Sequence, residues 1–222
     1  MTPGCIFMVK PIADIAATIS PTSQRMQRRI IDAVVEVIAK DGLSRATLAR
    51  VAETAGVSQG VLVFHFNSKE DLFAETLRRF INEYERAWRR AAAEQDPLQR
   101  ILALIRADFS PTICSRKKLA LWFAFWGEAS ARPLFNKICV EAELARGRAM
   151  AEACRAYCGA FSKAYAGAND PAFLAHCIDA MIDGLWLQLH MNWKRVSRDA
   201  ALRQAVDHAA LLLPYGPGAK KA

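Results

Sequence analysis

Residues 47–72 read TLARVAETAGVSQGVLVFHFNSKEDL. Thr47 stands where it would cap a short helix whose Leu48, Val51 and Ala52 face inward. Ala55-Gly56-Val57 follows as a turn, with Gly56 suited to the left-handed backbone that other residues resist. Ser58 then stands as the cap of a second short helix, residues 59–66. Two short helices joined by a tight glycine turn predict a helix-turn-helix, and the small Ala52 and Gly60 allow a close crossing. The second helix of such a pair enters the major groove with its N-terminal residues at base edges.

Residues in this stretch divide by chemistry. Gln59 can bond both edge groups of an adenine, and Gly60 and Val61 share its turn and join the DNA-facing set. Thr47, Ser58, His65 and Lys69 are suited to phosphates, which set register and affinity without reading sequence. Phe64 can pack on a thymine methyl or the sugar backbone, or simply cover its own helix turn. Spacing alone leaves an ordinary helical hairpin as the competing reading.

Outward from this stretch the pattern stays helical. Ile30, Val34, Val37 and Ile38 recur at three and four residues, and Gly42 ends their run after Lys40. Ser68 with Asp71 resembles a capping box, behind which Leu72, Phe73, Leu77, Phe80, Ile81, Tyr84 and Trp88 keep helical spacing. Pro97 opens another helix; others are expected over 116–126 and 133–161, from Asp170-Pro171 through Trp193, and from Ser197 to before Pro214. About nine helices and no sustained alternation make the fold class all-α. The expected division is an N-terminal extension at 1–22, a DNA-binding head at 23–69, a helical ligand-binding and dimerisation body at 70–213, and a flexible tail at 214–222.

The chain of 222 residues is 53% hydrophobic and carries a net charge of +8, which suits an anionic partner. The motif region supplies little of that excess. Between Ser23 and Arg78 eight Lys and Arg face seven Asp and Glu, a net of +1. The longest uninterrupted apolar run, near 119–126, is far short of a bilayer span, and 12–19 is a poor secretory signal. A cytoplasmic protein without membrane contact is expected. Its scattered Cys5, Cys114, Cys139, Cys154, Cys158 and Cys177 then read as thiols. Cys154 and Cys158 share a helix face, but with only His176 and Cys177 as further candidates a zinc site is not completed. No phosphate loop, zinc signature or cofactor motif is present. His65 falls in the DNA motif, and His176, His190 and His208 lack a nucleophile motif, so catalysis is not expected.

The string AxxAGVSxGxLxxHFxSKExL resembles the TetR family of bacterial regulators. It is spelled by Ala52, Ala55-Gly56-Val57-Ser58, Gly60, Leu62, His65-Phe66, Ser68-Lys69-Glu70 and Leu72. The resemblance implies a three-helix DNA head, a helical ligand body and a homodimer, covering Gln24 to about Leu213. One departure matters: the family usually has Tyr where Val63 stands, so that backbone contact is lost or moved to His65.

LWFAFWGEA at 121–129 and IDGLWLQ at 182–188 resemble the family's BetI branch, repressors that respond to choline. Such a ligand wants aromatic faces around a cation with a carboxylate nearby. Phe109, Trp122, Phe125, Trp126 and Trp186 offer faces, and Glu128 and Asp183 the counter-charge, although a stripe of rings is also what plain core looks like. The resemblance further implies that Ile178, Met181, Ile182, Leu185 and Leu189, with Leu202, Val206, Leu211 and Leu212, form a two-helix dimer surface. A symmetric dimer would read a palindromic operator in double-stranded DNA. The expected function is therefore an effector-released repressor, with choline, a related quaternary ammonium, or another small apolar or aromatic molecule as effector.

Overall fold

The computed structural model describes residues 20–161 and 170–213. The expected N-terminal extension up to residue 19 and the expected tail at 214–222 lie outside the described residues. Among the described residues there are nine helices and no strand: α1 (Pro21–Asp41), α2 (Leu48–Ala55), α3 (Gln59–His65), α4 (Lys69–Ala92), α5 (Pro97–Asp108), α6 (Arg116–Ala129), α7 (Pro133–Ala160), α8 (Pro171–Asn192) and α9 (Arg198–Leu212). The first helix begins at Pro21, earlier than the hydrophobic period shows. Ser20 Oγ accepts from the Ser23 amide and Pro21 fits the first turn, so capping starts a helix whose opening turn buries no side chain.

Local punctuation governs the head, α1 to α3. Thr47 Oγ1 accepts from the Arg50 amide, and Gly56 ends α2 in the left-handed region at φ 63°. A Cβ at Gly56 would stand 2.7 Å from Arg29 Nη2, but that is the free end of an exposed, flexible side chain, so it is the left-handed backbone that requires glycine. Ser58 occupies the cap position of α3, yet its hydroxyl makes no capping bond. Before α4, Ser68 Oγ accepts from the Asp71 amide, while Asp71 returns to the amide of Asn67 rather than of Ser68. Ile30, Val34, Val51 and Leu62 of these helices, with Leu72 of α4, are buried in a core that is continuous with that of the rest of the chain.

The long α4 runs from head to body and packs on α5 and α7, while α1 rests on α6. Ion pairs cross that junction, Arg79 to Asp32 at 3.5 Å and Lys117 to Glu36, while Lys118 pairs with Glu83 within the body.

Helix α8 corrects one expectation. Ile178, Ile182, Leu185 and Leu189 point into the protomer's own core and are buried, so they are not free to form a dimer surface. Met181, Leu202, Val206 and Leu212 are half-buried against that core, and only Leu211 of the expected set is exposed. The outward face of α8 instead carries Phe173, Ala180, Gly184, Leu187 and Met191. This helix is apolar on both sides, and by length and composition alone it could cross a membrane. Its Asp179 and Asp183, which pair with a buried arginine, and its inward stripe mark it as a core helix.

Candidate DNA interface and effector cavity

The α3 helix turns Leu62 inward and leaves Gln59, Gly60, Val63 and Phe64 on its outer face. Val63 is 62% exposed and Phe64 83%, which makes an apolar patch on the surface of the head. Of the sequence-derived DNA set, Thr47, Ser58, Gln59, Gly60, Phe64 and Lys69 are exposed, and Lys69 sets its ammonium over the Phe73 ring beside the groove that Glu128 lines. Val61 and His65 are half-buried; Val61 packs on the core, and His65 places Nδ1 3.5 Å from Ser23 Oγ with the Phe64 ring edge-on. A groove beside α3 is lined by the hydroxyl residues Ser20, Thr22, Ser23 and Ser58 together with Phe64 and His65. Three of those hydroxyls precede the first hydrophobic repeat, so periodicity gave no signal for them.

The seven residues expected to hold an effector do not gather round one space. Phe109 and Phe125 are fully buried, and Phe125 packs edge-on against Phe73 and Phe135. Trp122 packs on Phe80 and on the half-buried Trp126. Glu128 pairs with Arg132 at 2.9 Å and faces a groove beneath the head, beside Leu43, Ser44 and Lys69. Only Asp183 and Trp186 reach a different and more polar region of the body.

That region is built from four helices. Asp108, the last residue of α5, is completely buried. Its Oδ1 accepts from Tyr84 Oη and from Trp88 Nε1 of α4, both at 2.7 Å. Arg146 of α7, also buried, donates to Asp183 of α8 at 2.8 Å. It lies at longer ion-pair distances from Asp179 (3.5 Å), Glu143 (3.6 Å) and Asp108 (3.8 Å). Its guanidinium carbon sits 5.9 Å from the centre of the Trp88 ring, and Trp186 meets Tyr84 edge-on. Burial pushes the Asp108 carboxyl up to about 6 and the Glu143 carboxyl up to about 7, with Arg146 opposing both shifts. Burial works against the charge on Arg146, but Tyr84, Asp108, Asp179 and Asp183 outweigh it and hold the guanidinium firmly protonated. Beside this cluster a cavity of about 270 Å³ opens where Ala142, Ala145 and Ala149 of α7 face Tyr84, Trp88 and Ala92 of α4. Sequence reading missed Tyr84, Trp88, Asp108, Glu143, Arg146 and Asp179. Four charged positions on α5, α7 and α8 look like solvated faces until the helices are packed. The available signal was their position on helix faces otherwise occupied by apolar residues.

The cysteines contribute no cluster. Among the described residues no three His, Cys, Asp or Glu side chains are grouped to hold a metal. Burial holds the Cys114 and Cys154 thiols up to about 12 and Cys139 up to about 11, so they stay protonated and unreactive at neutral pH.

Known proteins resemble this chain over most of its length. Residues 30–76 match the family model of the bacterial regulatory proteins of the tetR family, and residues 97–214 match that of the BetI-type transcriptional repressor C-terminal region. The HTH-type transcriptional regulator BetI of Paraburkholderia phytofirmans is 32% identical over 187 residues, covering 83% of this chain and 92% of the relative. A transcriptional regulator of Pseudomonas aeruginosa PAO1 superposes with a TM-score of 0.72 at 21% identity, covering 88% of this chain and 93% of its own. One from Saccharomonospora viridis, solved in complex with choline, superposes with a TM-score of 0.70 at 23% identity, covering 83% and 95%. The chain belongs to the TetR family of bacterial transcriptional regulators, with a DNA-binding head and a C-terminal region of the BetI type, and is a regulator rather than an enzyme.

Proposed function

We propose that this protein is an effector-released repressor that binds a palindromic operator as a dimer, with choline or a related quaternary ammonium as its effector. Residues 23–69 serve as the head and 70–213 as the body. The observation that carries the DNA half is the outer face of α3, where Gln59, Gly60, Val63 and Phe64 are all exposed. A helix of that composition suits a groove edge: Gln59 for adenine and the apolar pair for thymine methyls. The exposed Thr47, Ser58 and Lys69, with the half-buried His65, fit phosphates on either side. For the effector, the similarity to BetI proteins and to a choline-bound neighbour supports a quaternary ammonium. In this reading Phe109, Trp122, Phe125 and Trp126 pack the body, and Glu128 belongs to the junction with the head. A second reading, a neutral apolar or aromatic effector, is favoured by the alanine wall of the cavity.

For assembly, we assign the dimer face to the outward stripe of α8. Phe173, Cys177, Ala180, Gly184, Leu187 and Met191 recur at alternating four and three residues, with the small pair at the centre permitting close helix approach. The exposed Leu211 of α9 extends the surface. Two heads then present α3 helices to half-sites about 34 Å apart or a multiple of that.

Two expected results test the DNA roles. Replacing thymine by uracil removes only the 5-methyl group. At the bases Phe64 and Val63 cover, this substitution should weaken binding of the native protein and leave Phe64→Ala almost indifferent. Gln59→Ala should lose discrimination at one base pair by about 1–3 kcal/mol, whereas Lys69→Ala should weaken cognate and scrambled duplexes alike and lower the salt slope by about one. Measured affinities that change in parallel for all three variants would overturn these assignments.

A further inference from the structure

We infer that an organic monocation seats against Asp108 over the Trp88 ring, beside Tyr84, by exchanging with the Arg146 guanidinium, which holds that place in this structure. The inference rests on the effector-released reading above and names the seat and the means of release.

Charge comes first. One guanidinium faces four carboxylates within 4 Å, so the cluster carries more negative charge than its own cation balances. Hydrogen bonding is also incomplete. Asp108 Oδ2 and Trp186 Nε1 have no hydrogen-bond partner although both side chains are at least nine-tenths buried, and Arg146 Nε and Nη2 have none either. Buried polar groups left this way cost stability unless something satisfies them. The place itself is already a cation's place: Arg146 lies over the Trp88 ring and faces Asp108. That contact is the loose end of Arg146, at 3.8 Å, while its short bond runs the other way to the part-exposed Asp183. The guanidinium therefore has somewhere to go. The adjoining cavity gives room, because three alanines of α7 stand opposite the two rings.

Exchange also has a route to DNA. Tyr84 and Trp88 sit on α4, the helix capped by Ser68 shortly after α3, whereas Arg146 and its remaining partners sit on α7 and α8. Trading an α7 cation for a ligand cation loosens α4 from α7 and α8, a difference between two states that a ligand can bias. Protons compete for the same carboxylates. The groups facing the seat are Tyr84, Glu85 and Arg89 from α4, Asp108 from α5, Glu143 and Arg146 from α7, and His176, Asp179 and Asp183 from α8. Asp108 and Glu143 are the ones held up towards neutrality, so affinity for a cation should fall as pH drops from 8 through 7 and 6.

The test uses choline, tetramethylammonium and the neutral isostere 3,3-dimethylbutan-1-ol, with binding read by calorimetry and operator release by anisotropy. The native protein should bind both cations and not the alcohol, and more weakly at pH 5.5 than at pH 8. Asp108→Asn keeps the acceptor for Tyr84 and Trp88 but removes charge, and should weaken both cations at least tenfold. Arg146→Gln removes the internal competitor and should tighten them, with Arg146→Lys restoring the native value. Should Arg146→Gln unfold, Asp183→Asn takes its place: Arg146 then loses its alternative partner, exchange is harder, and cation binding should weaken. Choline binding that Asp108→Asn leaves unchanged would overturn the seat while sparing the effector reading. Binding abolished by Arg146→Gln in a folded protein would make Arg146 a ligand-holding group and overturn the exchange. Choline bound at Asp108 with no effect on the operator would support the seat and sink the release reading. No cation binding at all at millimolar concentration would sink both.

Discussion

Gly184→Arg is expected to leave each protomer folded, to convert dimers to monomers, and to weaken operator binding about 100-fold or more. A Cβ built at Gly184 meets nothing within 4 Å, so the protomer has open space there. Arginine is moreover the better helix former, by roughly 0.5–1 kcal/mol in a helix interior. Protomer stability should therefore rise slightly rather than fall. The cost lies wholly in the assembly, where a long charged side chain stands at the centre of the proposed α8 stripe and has no partner across the two-fold axis. Losing the dimer removes the gain of binding two half-sites at once, commonly a factor of 10²–10⁴. Sedimentation velocity with half-site and full-site duplexes separates the effects: half-site affinity should be native. A variant that still sediments as a dimer would move the interface off this face.

Leu185→Asp makes the contrasting case one position further along. Leu185 is 4% exposed and sits among the inward residues of α8, so the carboxylate would be buried without a partner. The expected outcome is loss of folding rather than a soluble monomer, read as the absence of a cooperative thermal transition.

These neighbouring positions show where sequence reading stops. The head was legible because its signals are local: Thr47 and Ser68 cap through amides three residues away, and Gly56 takes the left-handed turn its neighbours require. Helix α8 was legible as a helix but not as a surface. Both its stripes are apolar, one running through Ile178, Ile182, Leu185 and Leu189 and the other through Phe173, Gly184, Leu187 and Met191. Periodicity cannot say which of two apolar faces turns inward; the packing of α6, α7 and α9 against α8 decides that. The polar cluster was hidden for a related reason. Tyr84 and Arg146 lie 62 positions apart in the numbering, and nothing local links a tyrosine on one apolar stripe with an arginine on another helix. Rings at helical spacing form a visible pattern in the sequence where scattered charges do not, yet the faces of Trp122 and Trp126 are covered by Phe80, Phe123 and each other.

The cluster should also leave its mark on stability, with opposite signs for two substitutions at one residue. Asp108→Asn is expected to be neutral or stabilising at pH 7.5. It keeps an oxygen for the Tyr84 and Trp88 donors and removes a fully desolvated charge that Asp179 opposes. Asp108→Ala removes the acceptor as well, leaving two buried donors unsatisfied, and should cost about 2–5 kcal/mol. Proton linkage gives the same sign by another route. Burial raises the Asp108 carboxyl from 3.8 to about 6, so the folded protein holds this proton more tightly than the unfolded chain does. The cost of the buried charge is present above pH 6 and is relieved as pH falls through 6 towards 4. Glu143, raised to about 7, adds a relief of the same sign beginning near neutrality. The native protein should therefore melt at a higher temperature at pH 5.5 than at pH 7.5, and Asp108→Asn should show a smaller gain. A native melting temperature that falls over this interval, with Asp108→Asn falling equally, would mean that the carboxylate is already balanced by Arg146. The cluster would then be a structural ion pair with no unmet need for a cation. If the rise is seen, the same charge that weakens the fold at neutral pH is the one available to a cationic effector, and adding choline at pH 7.5 should recover the stability that acid does.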